Sequence, residues 1–289
     1  MRPREKDGAK RAPKGKLYKY FALNSAERES WLERLLTKDE IFLPLARKFN
    51  DPFDCKVPSL TSQPTGVLAK LAEDFLKRRN PPVARPTRRR IAAEWANNPN
   101  AAVELHTYLQ KNVDRCGVLS LSERCDDILM WSHYGAGHTG VCVEFRADND
   151  IAFISAAQPV VYADTYTELP LLRDGHCQAE RVVLTKSSHW KYEREWRVVL
   201  VNSEEFGPRP GDKYYQLPAH ALTGIIFGCQ ISPEHKMKIR SSLARRAGNE
   251  VVQYDAAVRS DEYGLTVTRV RFDPITDQVR FDRSRGPCR

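Results

Sequence analysis

Two hydrophobic periods divide the chain beyond residue 16. Alternation or short apolar runs predict strands at Leu17-Tyr18-Lys19-Tyr20-Phe21, at Val118-Leu119-Ser120-Leu121-Ser122, and over 140–145, 159–162, 195–201 and 224–228. Two more strands are expected near 250–256 and 264–272. A 3.6-residue period predicts helices. Ser25 stands as a cap before Trp31, Leu32, Leu35 and Leu36, and Asp126 or Asp127 precedes a short helix carrying Ile128 to Tyr134. Ser232, Pro233 and Glu234 open a helix that exits at Arg245, Arg246 and Gly248. Residues 66–79, 87–97 and 100–113 read as three further helices, and Asn50-Asp51-Pro52-Phe53-Asp54 as a structured turn. Strands and helices interleave without a regular βαβ rhythm, which predicts an α+β fold with a mixed or antiparallel sheet. The three-helix block is expected to be a helical insertion over about 60–114 of a single domain, 17–289. Residues 1–16 lack apolar periodicity and are expected to be a disordered basic leader.

Charge adds one feature to this picture. The chain of 289 residues carries a formal +9, and the excess is local. Residues 1–16 hold seven basic side chains against Glu5 and Asp7, and residues 75–93 hold seven with no acid. Arg88, Arg89 and Arg90 are therefore candidates for holding nucleic-acid phosphates, with a solvated helix face as the plainer alternative. No apolar run approaches the roughly 18 residues that span a bilayer, so a membrane partner is not expected. The N-terminus lacks the apolar segment of a secretory signal, and seven cysteines without a CxxC pair suit a reducing compartment, so a cytoplasmic location is expected.

Common catalytic signatures are absent: no GxGxxG after a strand, no GxxxxGKS/T, no HExxH and no GxSxG. Cys116, Cys125, His133 and His138 fit no usual zinc spacing, and no metal is expected. The informative stretch is Lys186-Ser187-Ser188-His189-Trp190-Lys191-Tyr192-Glu193-Arg194-Glu195-Trp196-Arg197. Two carboxylates two residues apart at the head of a strand point to one side of the sheet, and their proximity raises the proton affinity of at least one. A surface ion-pair ladder with Lys191, Arg194 and Arg197 is the competing reading. Ser120 and Ser122 on a strand, with Trp131 and Tyr134 on the next helix, would add hydroxyls beside an aromatic wall.

The strings LYKY at 17–20, FNDPFD at 49–54, LSLSE at 119–123, ILMWSHY at 128–134, GVCVEF at 140–145 and WKYEREWR at 190–197 resemble the successive blocks of a prokaryotic family labelled domain of unknown function 2971. They more distantly resemble the mono-ADP-ribosyltransferase superfamily, whose members place Arg or His on a first strand, Ser or Tyr on a second and a Glu-x-Glu pair on a later one. That resemblance implies a split sheet and NAD as substrate, held by Tyr18, Lys19, Tyr20, Ser120, Ser122, Trp131 and Tyr134. It implies Glu195 as the catalytic carboxylate and Glu193 as the group that binds or deprotonates the acceptor. The acceptor would be protein or nucleic acid, in a defence or toxin-type setting. Lys19 stands where the superfamily carries Arg or His. Two other readings stay open: a metal-dependent nuclease or nucleic-acid-binding protein using Asp51, Asp54, Glu193 and Glu195 around Mg²⁺, and a non-catalytic interaction domain.

Overall fold

A nine-stranded mixed sheet organises the chain in the computed structural model, which describes residues 13, 15–60, 64–77, 83–149, 153–166, 176–201, 214–273 and 278–281. In chain order the elements are β1 (Lys16–Phe21), α1 (Ala26–Lys38), β2 (Glu40–Phe42), α2 (Thr65–Lys77), α3 (Arg85–Ala96), α4 (Pro99–Asp114), β3 (Gly117–Ser122), α5 (Ile128–Tyr134), β4 (Val141–Arg146), β5 (Gln158–Pro159) and β6 (Val161–Ala163). There follow α6 (His176–Val183), β7 (Thr185–Ser187), β8 (Glu195–Leu200), β9 (Tyr214–Gln216), β10 (Leu222–Phe227), α7 (Pro233–Ala244), β11 (Val252–Val258), β12 (Leu265–Asp273) and β13 (Gln278–Phe281). The fold is α+β.

The main sheet runs β13-β12-β11-β10-β4-β1-β3-β8-β5. All its neighbours are antiparallel except β10 and β11, which are parallel and joined through α7 as such a crossover requires. The pairing is continuous from edge to edge, so the split that the superfamily resemblance implies is not visible in it. Two short sheets, β2 with β9 and β6 with β7, flank it. The expected single strand at 159–162 is thus divided: Pro159 pairs with β8, whereas Val161 pairs with β7.

Local chemistry accounts for the helix starts. The Ser25 hydroxyl accepts from the Arg28 N–H, the Asp127 carboxylate from Leu129 and Met130, and the Ser232 hydroxyl from His235. The three central helices lie within a few residues of their expected spans. Most of the leader, residues 1–12 and 14, lies outside the described residues, as does Asn80-Pro81-Pro82. Lys16, counted with the leader, instead begins β1 and pairs with Glu144 at 2.9 Å.

Alternation sorts each strand into two faces. Leu17 and Phe21 of β1, Leu119 and Leu121 of β3, and Trp196 and Val198 of β8 join Leu32, Leu35 and Leu36 of α1 and Ile239 of α7 in one core. On the opposite face, Tyr18, Tyr20 and Cys142 pack with Met130 and Trp131 of α5. Further along that face, Val118 and Val199 pack with the helical block. Between those two apolar clusters the same face turns polar, with Ser120, Ser122, Glu195 and Arg197. This interruption positions the site.

Gly140 holds α5 against β1. A Cβ there would lie 2.1 Å from the Phe21 carbonyl oxygen, closer than any side chain tolerates. Gly140→Ala is expected to cost about 1–3 kcal/mol, the range for overpacking. Urea denaturation checks this, and an unchanged midpoint would show that the contact relaxes freely.

Candidate functional site

Three adjacent strands carry the site in register: Tyr18 of β1 pairs with Ser122 of β3, and Ser122 with Glu195 of β8. Ser120 pairs with Arg197 one pleat along. Above this row lies a pocket of about 140 Å³, open to solvent, with Tyr18, Tyr20, Phe49, Met130 and Tyr134 as apolar wall and Asp54, Lys186, Glu193, Glu195 and Arg197 as charged floor. Asn50 stands exposed beside them.

Arg197 is the centre of the floor and is 0% exposed. Its Nε donates to Glu195 Oε1 at 2.7 Å and its Nη2 to Glu195 Oε2 at 2.8 Å and Asp54 Oδ2 at 2.6 Å. Its Nη1 donates to Asp54 Oδ1 at 2.9 Å and to the Val183 carbonyl at 2.5 Å. Five donors meet five acceptors, the full capacity of a guanidinium. Lys186 lies beside it, donating to Glu193 Oε2 at 2.5 Å and to Glu195 Oε2 at 3.1 Å, with Asp54 3.8 Å away. The competing surface-ladder reading is therefore corrected: the acids are buried, and their partners are Arg197 and Lys186.

The two glutamates converge by a route other than strand parity. Glu193 ends a 3-10 turn over Ser188–Glu193, and Arg194 adopts a left-handed backbone (φ 45°, ψ 51°) before β8 begins at Glu195. That reversal swings both carboxylates onto Lys186. It is fixed by Ser122, whose hydroxyl donates to the Glu193 carbonyl at 2.6 Å and accepts from the Arg124 N–H at 3.0 Å. The Tyr162 hydroxyl accepts from the Glu195 N–H at 2.8 Å.

Three carboxylates face two fixed cations here, leaving one negative charge in excess. Burial, the largest influence, pushes Glu193 up to about 7, against the pull of Lys186 and the Tyr134 hydroxyl that donates to it at 2.7 Å. Burial also opposes the charge of Glu195, but Arg197, Lys186 and a hydrogen bond from Ser120 outweigh it and hold that carboxyl at about 2. Neighbouring acids of opposite proton affinity result, the usual arrangement of an acid–base site.

The remaining expected site residues distribute unevenly. Tyr18 and Tyr20 line the pocket with their rings, while their hydroxyls turn away, toward Glu144 Oε2 at 3.5 Å and the Arg124 carbonyl at 2.9 Å. Lys19 is also among the residues lining the pocket, while its ammonium lies 5.6 Å from the Phe21 ring centroid and burial lowers its pKa to about 8. Trp131 is 0% exposed, its indole N–H bonded to the Cys125 carbonyl and its ring edge-on to Tyr20, so it supports the wall and does not face a ligand. Arg88, Arg89 and Arg90 lie on α3 outside the pocket. Glu73 of α2 stands 3.8 Å and 3.9 Å from the first two, and Glu94 pairs with the third at 2.6 Å, so acids beyond the segment temper the basic run.

Asp54 does converge with the glutamates, as the metal-site reading required, but Arg197 and Lys186 occupy the space between them. Asp51 instead accepts from the Phe53 N–H. Among the described residues no group of three or more His, Cys, Asp or Glu is arranged to hold a metal ion, and no helix is long and apolar enough to cross a membrane.

Neither the curated proteins nor the solved structures contain a match to this chain. Residues 130–198, from α5 through most of β8, match the model of a family described as protein of unknown function (DUF2971). That segment supplies Tyr134, Lys186, Glu193, Glu195 and Arg197, and its match supports the family that the sequence blocks resemble.

Proposed function

We propose that the pocket breaks an N-glycosidic bond in a nucleotide such as NAD and passes the ribosyl group to an acceptor or to water. One observation carries this reading: two buried carboxylates on one lysine, one held ionised and one able to exchange a proton near neutral pH, beneath an aromatic wall. Breaking such a bond builds positive charge on the ribose, which the fixed negative charge of Glu195 stabilises. Glu193 takes the proton that the acceptor sheds. Tyr18, Tyr20, Phe49 and Tyr134 offer rings for the leaving base. Lys186 and Arg197 are already paired, so the pocket suits the base and ribose, with phosphates toward its open mouth.

The test is nicotinamide release from NAD by the full chain, followed by chromatography with and without EDTA. Release that is indifferent to the chelator is expected. No release, or chelator-sensitive cleavage of nucleic acid in its place, would overturn the reading. A second reading, nucleic-acid binding, is favoured by the 63% and 66% side-chain exposure of Arg89 and Arg90, and it predicts an affinity that falls steeply with salt.

A further inference from the structure

Lys186 borders two cavities. Beside it lies a second groove of about 570 Å³, open to solvent, between the Asp51–Lys56 turn, the end of β6 and the start of the 3-10 turn. Its aromatic members are Phe53, 67% exposed, Tyr166, 49% exposed, and Trp190, whose ring lies 5.1 Å from the Lys186 ammonium. Isolated exposed apolar residues are ordinary, but aromatic side chains lining one groove beside a charged site are a binding surface.

The polar groups of the groove define what it takes. Asp51, Asp164, Thr165, Ser187, His189 and Lys56 supply acceptors, hydroxyls and a cation between the rings. Ser187 is bonded to His189 at 2.9 Å and Ser188 to Asp164, which hold that rim in place. A phenyl ring would leave these polar groups without partners. A nucleobase satisfies both kinds of wall, with its face on an aromatic ring and its edge on carboxylates and hydroxyls. Lys56, fully outside the ion cluster of the floor, matches a phosphate next to that base.

We infer that this groove is the acceptor subsite of the pocket, and that it holds an unpaired nucleobase. This rests on the reading above. In the transfer, the C1′–N bond of the donor breaks and its electron pair leaves on the neutral base. A ring or exocyclic nitrogen of the acceptor forms the new bond to C1′, and the proton it loses goes to Glu193.

The experiment uses the full chain and a fluorescein-labelled single-stranded oligonucleotide of mixed sequence, followed by anisotropy, with GMP and a phenylalanine amide as competitors. F53A and Y166A change exposed side chains outside the pocket floor. Each is expected to weaken oligonucleotide binding about tenfold, the scale of one lost base–aromatic stack, while nicotinamide release to water stays at the parent rate. Competition by GMP supports a free nucleotide as the acceptor, and competition only by the strand supports single-stranded nucleic acid. Binding unaffected by both substitutions, or displaced by phenylalanine amide alone, overturns the subsite even where NAD is consumed. Substitution-sensitive binding without NAD consumption keeps the base-binding groove and removes the transferase reading.

Discussion

Arg197→Met is expected to lower stability by about 3–5 kcal/mol, the cost of stranding buried charges by removing their partner. The methionine keeps apolar bulk but leaves Asp54 and Glu195 facing each other with Lys186 as their only cation within 4 Å among the described residues. The Val183 carbonyl loses a donor as well. In a chain of this size the loss corresponds to a fall in melting temperature of about 10 °C. Arg197→Lys is expected to recover part of it, since an ammonium supplies the charge without the planar fork that meets two carboxylates at once. Thermal unfolding followed by circular dichroism measures both. A methionine variant that melts with the parent would mean that the buried acids are protonated and that no ion network exists.

Glu193→Gln has the largest expected effect on activity, a drop of about 10²–10⁴ in transfer rate if Glu193 is the acceptor's base. The amide keeps the shape and can still meet Tyr134. The pH dependence distinguishes this from incidental damage. A base with a pKa near 7 makes the parent rate rise with pH through about 7, and in the variant that rise disappears. Stability moves in the opposite sense. Glu193 has its folded pKa above its unfolded value of 4.5, so its contribution is present below about 4.5 and is lost as pH rises through about 7. For Glu195, depressed to about 2, the contribution is present above 4.5 and is lost as pH falls toward 2. A parent rate that ignores pH between 6 and 8 (about one unit either side of the Glu193 value) sinks the assignment. Glu195→Gln is the less clean probe, because it also removes a charge that Arg197 and Lys186 need.

The contrast between Glu193 and Asp54 indicates what was legible in the sequence. Caps at Ser25, Asp127 and Ser232, the alternation of β3 and β8, and the helices of the central block are local signals, and each has its counterpart in the fold. The pairing of Asp54 with Arg197 spans 143 residues and leaves no periodic trace. Lys186 stands in the same charged stretch as the glutamates, yet nothing local says that it, and not Lys191 or Arg194, turns inward. The left-handed turn at Arg194 was equally hidden, since arginine is no marker of such a backbone. Lys19 is a mixed case: it is among the residues lining the pocket, as its place between two tyrosines suggested, while its ammonium lies near the Phe21 ring.

The row of Tyr18, Ser122 and Glu195 also governs how the molecule comes to exist. Its members are separated by about 100 and about 70 residues along the chain, so their pairing is non-local and belongs to the slow class of folding events. Within the ion cluster, Asp54 arrives on a segment far from the one that carries Lys186, Glu193, Glu195 and Arg197, and all five stay hydrated until the strands close. A chain that has formed only its helices therefore has neither a pocket nor a matched set of charges, and water must leave three acids and two bases in the same late step that joins β1, β3 and β8.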